Sequence, residues 1–291
     1  MRELKQKDYP FTIMGNPFHL TDEVCLRLKA YGCQKYQMSL DGNKTTHDWF
    51  RKRGSYQATL EKISMLNRAG IRSVIMTTVS GINIGEVPEI IDAVVEAGVN
   101  VYAFSRYCPT SVDKASKSDP NYIAPKDYRR LLEICDVKFK AYERQGCETY
   151  FNRKDHLWKL YEYETGEFGI PDDAEEGMIY DGCNCGNCHL TITPNGDVYA
   201  CRRVQNSKVG NVFESSLADL WLDNLEQYRD FTAFKKCSKC ELMPWCRGCP
   251  AVASGLGGDF YASDPQCWRD IPMDEPSGWE VVNQPISVRV V

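Results

Sequence analysis

The sequence predicts an α/β chain in two parts, a parallel sheet or partial (β/α) barrel followed by a small cysteine-rich α+β segment. Two observations predict it. Strand-like and helix-like stretches alternate through the first half, and nine of the fourteen cysteines fall between Cys183 and Cys267. At 291 residues, 43 % of them hydrophobic, the chain can bury one large core or two modest ones.

The alternation begins with Thr21-Asp22-Glu23, a helix cap followed by a negative first turn. Val24, Cys25 and Leu28 then mark one apolar face, Gly32 ends the pattern, and Tyr36 to Leu40 reads as a strand. In the second copy Leu60, Ile63 and Leu66 line a helix that stops at Gly70, and Ser73 to Val79 is β-branched enough for a buried strand. The third starts with Pro88 at a helix N-terminus, runs through Ile90, Ile91, Val94 and Val95, stops at Gly98 and leads into Val99 to Phe104. Strands joined by crossover helices run parallel, and such a sheet carries its active face at the strand C-terminal ends. Asn16, Ser39, Asp41, Thr77, Thr78, Asn83 and Arg106 occupy those ends, a polar set that suits turn chemistry or ligand contact. Further on, Tyr128 to Tyr142 reads as a helix, and Phe151 to Tyr163 carries Trp158, Tyr161 and Tyr163 at the spacing of a packing face.

A net charge of −5 with scattered Lys and Arg gives no electrostatic footprint for nucleic acid. The longest apolar stretches, such as Val74 to Val79, are strand-length, far from the roughly 18 residues of a membrane span. Met1 to Pro10 is charged and lacks the apolar core of a secretory signal, so a reducing cytoplasmic location is expected. Disulfides are disfavoured there. The dispersed thiols Cys25, Cys33, Cys108, Cys135 and Cys147 read as small buried hydrophobes.

The clustered cysteines read as metal ligands. Cys183-Asn-Cys185-Gly-Asn-Cys188 precedes Pro194-Asn195-Gly196, a turn that returns the chain to Cys201. Then come Cys237-x2-Cys240-x5-Cys246-x2-Cys249 and, eighteen residues on, Cys267. Thiolates two residues apart can bind one centre from a single turn, and distant ligands make metal binding contribute to folding. Zinc uses paired CxxC elements but prefers a longer gap than the five residues between Cys240 and Cys246. Iron-sulfur is the stronger reading, since eight thiolates would serve two [4Fe-4S] clusters and leave one of the nine spare. His189, beside Cys188, is a further candidate ligand that the nearby thiols make unnecessary.

Met38-Ser39-Leu40-Asp41-Gly42, His47-Asp48, Arg53-Gly54-Ser55-Tyr56 and Asn67-Arg68-Ala69-Gly70-Ile71 resemble, in order and spacing, the middle of radical S-adenosylmethionine (SAM) enzymes that modify peptides. Phe11 to Pro17 looks like that family's third strand and its Asn loop, and Val79 to Asn83 and Ser105 to Pro109 like the loops after the fifth and sixth. The resemblance implies that Ser39, Asp41 and Asn83 lie near S-adenosylmethionine, with Arg53 or Arg106 as partners of anionic groups; surface ion pairing is the bland alternative for both arginines. The family's CxxxCxxC and Gly-Gly-Glu loops are absent from the sequence. The expectation is therefore an N-terminally truncated partial barrel lacking its first strands, with S-adenosylmethionine belonging to the full-length enzyme.

The cysteine-rich end resembles the SPASM domain, a twin auxiliary-cluster module of radical SAM peptide maturases: Gly196 to Cys201 matches Gly-x4-Cys, and Cys237, Cys240 and Cys246 match Cx2Cx5C. The resemblance implies one cluster on Cys183, Cys188, Cys201 and Cys249 and another on Cys237, Cys240, Cys246 and Cys267. Cys185 is an extra thiol that can replace Cys188, and the gap between Cys246 and Cys249 is one residue shorter than the family's. Arg202 stands where sulfatase-maturating relatives place an acidic base, and arginine cannot take a proton.

The expected organisation is a partial barrel over 1–115, a helical bridging region over 116–180, a SPASM iron-sulfur domain over 181–270 and a tail over 271–291. The resemblance implies a part of an oxidoreductase that forms thioether or carbon-carbon crosslinks in a short ribosomal precursor peptide through a 5′-deoxyadenosyl radical, served by an electron donor such as flavodoxin or ferredoxin. The alternative is a non-catalytic iron-sulfur or zinc module that binds a peptide or transfers electrons.

Overall fold

The computed structural model describes residues 1–109, 118–175 and 177–272. Two compact units divide the chain, one built from Met1–Tyr107 and Arg130–Asp155, the other from Cys108–Arg129 and the residues from His156 on. The stretch 116–180, expected as a single bridging region, is thus shared between them. Residues 273–291 of the expected tail lie outside the described residues.

The first unit is a five-stranded parallel sheet in sequential order, β1 (Phe11–Met14), β2 (Cys33–Ser39), β3 (Arg72–Val79), β4 (Val101–Arg106) and β5 (Tyr150–Asn152). After the short α1 (Arg2–Gln6), the helices of the unit are α2 (Asp22–Ala30), α3 (Lys44–Phe50), α4 (Ser55–Arg68), α5 (Val87–Glu96) and the later part of α6 (Pro125–Arg144). Local chemistry sets the ends. Thr21 Oγ1 accepts the Val24 N–H at 3.2 Å to cap α2, and Gly32, Gly70 and Gly98 take positive φ just beyond three helices, a conformation that side chains with a Cβ resist.

Helix α4 buries Ile63 and Leu66, and α5 buries Ile90, Ile91 and Val94. Ile75, Val79, Tyr102 and Phe104 are buried within β3 and β4. This is the pattern of a parallel sheet covered by crossover helices. Strand β5, which the sequence did not announce, joins through Tyr102 opposite Phe151, and Phe151 stacks on Phe139 of α6 with ring centroids 4.3 Å apart. Phe151 is therefore a strand residue, and α7 (Leu157–Glu164) buries Leu157, Trp158, Leu160 and Tyr161, with Tyr163 only half-buried.

The second unit holds α7, a three-stranded antiparallel sheet of β6 (Thr191–Ile192), β7 (Asp197–Tyr199) and β8 (Lys208–Asn211), and short helical turns ending with the helix Pro250–Gly255. The turn expected at Pro194-Asn195-Gly196 joins β6 to β7: Gly196 N–H donates to Thr193 O at 2.9 Å, and Gly196 has φ +85 with Phe213 packed where a Cβ would stand. Val198, Ala200, Leu220, Leu225, Phe234 and Val252 form an apolar core that includes Cys201, Cys237 and Cys249. Among the described residues no helix is long and apolar enough to cross a membrane.

Candidate functional site

Two groups of residues carry the chemistry, one in each unit. In the first unit the C-terminal ends of β2, β3 and β4 bring together the expected polar residues. Ser39 ends β2 half-buried, and Asp41 is buried just beyond it. The Asp41 carboxylate is fully engaged by protein: Oδ1 accepts the Thr78 N–H at 2.8 Å, and Oδ2 accepts Arg51 Nε and Nη2 at 2.7 and 2.6 Å. Asn83 is also buried and inward-turned, accepting the Ser80 N–H at 2.7 Å and donating to Asp41 O and Thr78 O at 2.8 and 2.9 Å. Asp41 and Asn83 lock the loops after β2 and β3 to each other. Arg106, at the end of β4, is buried in an ion pair with Asp155 at 3.0 Å. Arg53 lies on an exposed turn before α4.

Of two further residues in this region, Arg51 was not singled out from sequence and His47 was noted only within the resemblance. Arg51, at the end of α3, is the arginine that pairs with Asp41. His47 is buried, and its Nδ1 accepts the Asp41 N–H at 3.0 Å; burial lowers its pKa, so the ring stays neutral and keeps that acceptor. Asp48, by contrast, caps α4 by accepting the Tyr56 and Gly54 N–H groups at 2.8 and 2.7 Å.

In the second unit, Cys237, Cys240, Cys246 and Cys267 line one cavity, together with Lys236, Leu242, Gly248, Asp264 and Arg269. The sequence positions them through tight turns. Cys237 opens a 3₁₀ turn in which Cys240 N–H donates to Cys237 O at 3.0 Å, and Cys246 N–H reaches back to Leu242 O at 2.7 Å. Lys236 Nζ stands 3.6 Å from Cys267 Sγ. Burial first, and then the neighbouring thiols Cys246, Cys267 and Cys240, push the Cys237 thiol upward; Cys246 is pushed up to about 12, burial again leading. Four thiols around a shared cavity, three of them pushed upward chiefly by burial, fit a cationic iron-sulfur core, which supplies the charge that holds them as thiolates. Among the described residues no three His, Cys, Asp or Glu side chains meet tightly enough for a single ion, and the sulfurs surround a space instead of a point.

A second set gathers nearby in the same unit. The neighbouring Cys185 lowers the Cys201 thiol to about 6 against the opposing effect of burial, and lowers Cys183 well below its ordinary value. Cys188, expected beside Cys183, is exposed yet still feels the Cys183 sulfur, whereas Cys185 feels both Cys183 and Cys201. Cys249 is buried in the same core, its N–H held by Asp264 Oδ2 at 2.8 Å. Arg203 Nη1 lies 3.1 Å from the buried Cys108 sulfur. Burial alone would lower the Arg203 pKa, but the sulfurs of Cys108, Cys249 and Cys201 raise it. His189 Nε2 is 3.3 Å from Thr191 Oγ1, and the His189 main chain pairs with that of Cys185 in an isolated bridge.

The Radical SAM superfamily model matches residues 1–94, and the SPASM model, described as an iron-sulfur cluster-binding domain, matches residues 183–250. An AdoMet-dependent heme synthase of Methanosarcina barkeri is 30 % identical over 257 residues, covering 85 % of this chain and 71 % of that protein. The chain belongs to the radical SAM superfamily. Mycofactocin maturase MftC of Mycolicibacterium smegmatis is another relative, 25 % identical, with 87 % of this chain and 62 % of that protein covered. Among solved structures, AdoMet-bound anSMEcpe superposes with a TM-score of 0.67 at 16 % identity, covering 91 % of this radical SAM chain and 73 % of its own. SuiB of Streptococcus suis bound to S-adenosylmethionine gives 0.65 at 18 %, covering 91 % and 61 %. These two support the fold: a partial radical SAM barrel followed by a SPASM domain. The two domains imply iron-sulfur clusters and S-adenosylmethionine as cofactors. For the clusters, the cysteine-lined cavity is the fitting feature in this radical SAM chain.

Proposed function

We propose that this chain carries two [4Fe-4S] clusters in its SPASM unit and serves a radical SAM reaction on an iron tetrapyrrole. The cavity lined by Cys237, Cys240, Cys246 and Cys267 is the observation that carries the cluster assignment. The second cluster is assigned to Cys183, Cys201, Cys249 and one of Cys185 and Cys188, with the effect of both Cys183 and Cys201 on Cys185 favouring Cys185. The substrate class rests on the Methanosarcina barkeri heme synthase at 30 % identity and the Fe-coproporphyrin III synthase of the same organism at 23 % over 280 residues.

S-adenosylmethionine supplies, when reductively cleaved, a 5′-deoxyadenosyl radical that abstracts a hydrogen atom. Ser39 and Arg53 are the residues assigned to contact it. Asp41, Asn83 and Arg106 are assigned a holding role, because their hydrogen bonds fix the loops at the strand ends that such a cofactor would meet. Arg202 is exposed directly after Cys201; it cannot act as a base, but a guanidinium suits the carboxylates of a tetrapyrrole side chain. The reduced clusters require a low-potential donor of the flavodoxin or ferredoxin type.

Crosslinking of a short ribosomal peptide is the second reading. It is favoured by the sporulation killing factor maturation protein SkfB of Bacillus subtilis and by MftC, 21 % and 25 % identical. Titrating the cluster-loaded chain with Fe-coproporphyrin III under anaerobic conditions separates the two. A saturable shift of the porphyrin absorption band supports the tetrapyrrole reading. An unshifted band at all concentrations overturns it and leaves the peptide.

A further inference from the structure

Between the third and fourth cysteines of the Cys237-to-Cys249 run stands Arg247, a guanidinium only 2 % exposed. Its hydrogen bonds go to main-chain carbonyls: Nη1 donates to Asp181 O at 2.9 Å and Met243 O at 3.2 Å, and Nη2 donates to Cys183 O at 2.8 Å. The ring of Phe231 lies 5.0 Å from its central carbon. Among the described residues no carboxylate lies within ion-pair distance of it. A buried cation satisfied by neutral acceptors alone lacks the opposite charge that normally accompanies burial.

Cysteines of both sets adjoin it: Arg247 directly follows Cys246 of one set, and its Nη2 is bonded to the main chain of Cys183 of the other. Burial lowers its pKa, and the sulfurs of Cys183, Cys246 and Cys237, followed by the Asp181 carboxylate, act against that effect. The backbone is shaped to seat it there. Gly182 takes φ +92, and a Cβ on it would meet Trp245 O at 3.2 Å and the Arg247 Cζ and Nη1 at 3.3 Å. On the other side, Gly248 takes φ +60 with Asp264 Cβ 2.5 Å from where its own Cβ would be. The planar fork reaches three carbonyls at once, which a lysine ammonium on a flexible stem does less well.

We infer that Arg247 is a counter-cation shared by the two cysteine sets, holding both clusters at higher reduction potential than their thiolates alone would allow. A thiolate-ligated cluster that takes up one electron becomes more negative, and a fixed positive charge beside it stabilises that reduced form. Placed between two clusters, one arginine does this for both. Arg247 would be a positioning and charge-compensating residue, with no contact to substrate required. The inference rests on the two-cluster reading.

The test is a redox titration of the full chain, reconstituted with iron and sulfide, with dithionite as reductant and the clusters followed by electron paramagnetic resonance. Arg247→Gln removes the charge, and Arg247→Lys keeps it. If both clusters load in Arg247→Gln, both potentials should fall by the equivalent of at least tenfold in the reduction equilibrium, about 59 mV for a one-electron couple, while Arg247→Lys stays close to wild type. Unchanged potentials, or a shift in only one cluster, would overturn the shared role. If Arg247→Gln fails to load, the account requires Arg247→Lys to load both clusters; failure of Arg247→Lys as well would assign Arg247 a shape role and overturn the proposal. Wild-type chain without iron would instead remove the two-cluster reading itself, and this inference with it.

Discussion

The carboxylate of Asp264 accepts the main-chain N–H of Cys249 at 2.8 Å, and Gly248 passes so close that a Cβ there would lie 2.5 Å from Asp264 Cβ. That contact fixes the loop between Cys246 and Cys249, and Cys249 is one of the proposed cluster ligands. Gly248→Ala combines a left-handed backbone with a clash, so it should cost roughly 1–3 kcal/mol of stability or more. Thermal melts of the iron-loaded protein should show a lowered Tm together with reduced iron content. A variant with wild-type Tm and iron would show that the loop does not depend on this approach.

Cys185 and Cys188 should separate cleanly. Cys185 feels the sulfurs of both Cys183 and Cys201, and Cys188 is exposed. Cys188→Ser should therefore retain the iron of both clusters, whereas Cys185→Ser should lose about half, as expected for one of two four-iron clusters. Iron analysis after anaerobic reconstitution reads the difference. The opposite pattern would restore Cys188 as the ligand.

His47 makes the first unit sensitive to acid. Burial depresses its folded-state pKa below the ordinary 6.5, so the folded protein binds fewer protons there than the unfolded chain. The stability this contributes is complete above pH 6.5 and is lost as the pH falls from there through the depressed folded value. Wild-type Tm should drop below pH 6.5 more steeply than that of His47→Gln, which cannot titrate. Parallel curves for the two proteins would show that His47 is not the group responsible.

Much of the first unit was legible because its signals are local. Thr21, Gly32, Gly70 and Gly98 mark helix ends by cap chemistry and positive φ, and the β-branched run of β3 has only one comfortable place in an α/β unit. Strand β5 was not legible, since Tyr150–Asn152 is three residues long and is defined by pairing with β4. Nor was Arg51 legible: α3 ends so that it reaches Asp41, while Arg53 sits exposed on the next turn.

In the cysteine-rich unit, spacing identified the run that supplies three of the cavity's cysteines, with Cys237 and Cys240 joined by a single turn. Which of Cys185 and Cys188 faces Cys201 depends on how the chain folds between Cys183 and His189, a tertiary fact that three thiols within six residues do not encode. Arg247 was hidden for a similar reason. Its three carbonyl partners come from Asp181, Cys183 and Met243, the first two more than sixty positions upstream.

Arg202 offers a prediction on substrate class. An exposed guanidinium directly after Cys201 should pair with carboxylates of the substrate, so Arg202→Glu should weaken binding of Fe-coproporphyrin III about tenfold or more, with cluster content unchanged. Absorption titration of wild type and variant checks it. Equal affinities would take Arg202 out of substrate recognition.

Counting metal in the anaerobically reconstituted chain tests the central claim most directly. Two clusters held by the two cysteine sets predict about eight iron and eight sulfide per chain, with electron paramagnetic resonance signals of two [4Fe-4S] centres after reduction. A colourless protein that binds zinc, or one that saturates at about four iron, would contradict it.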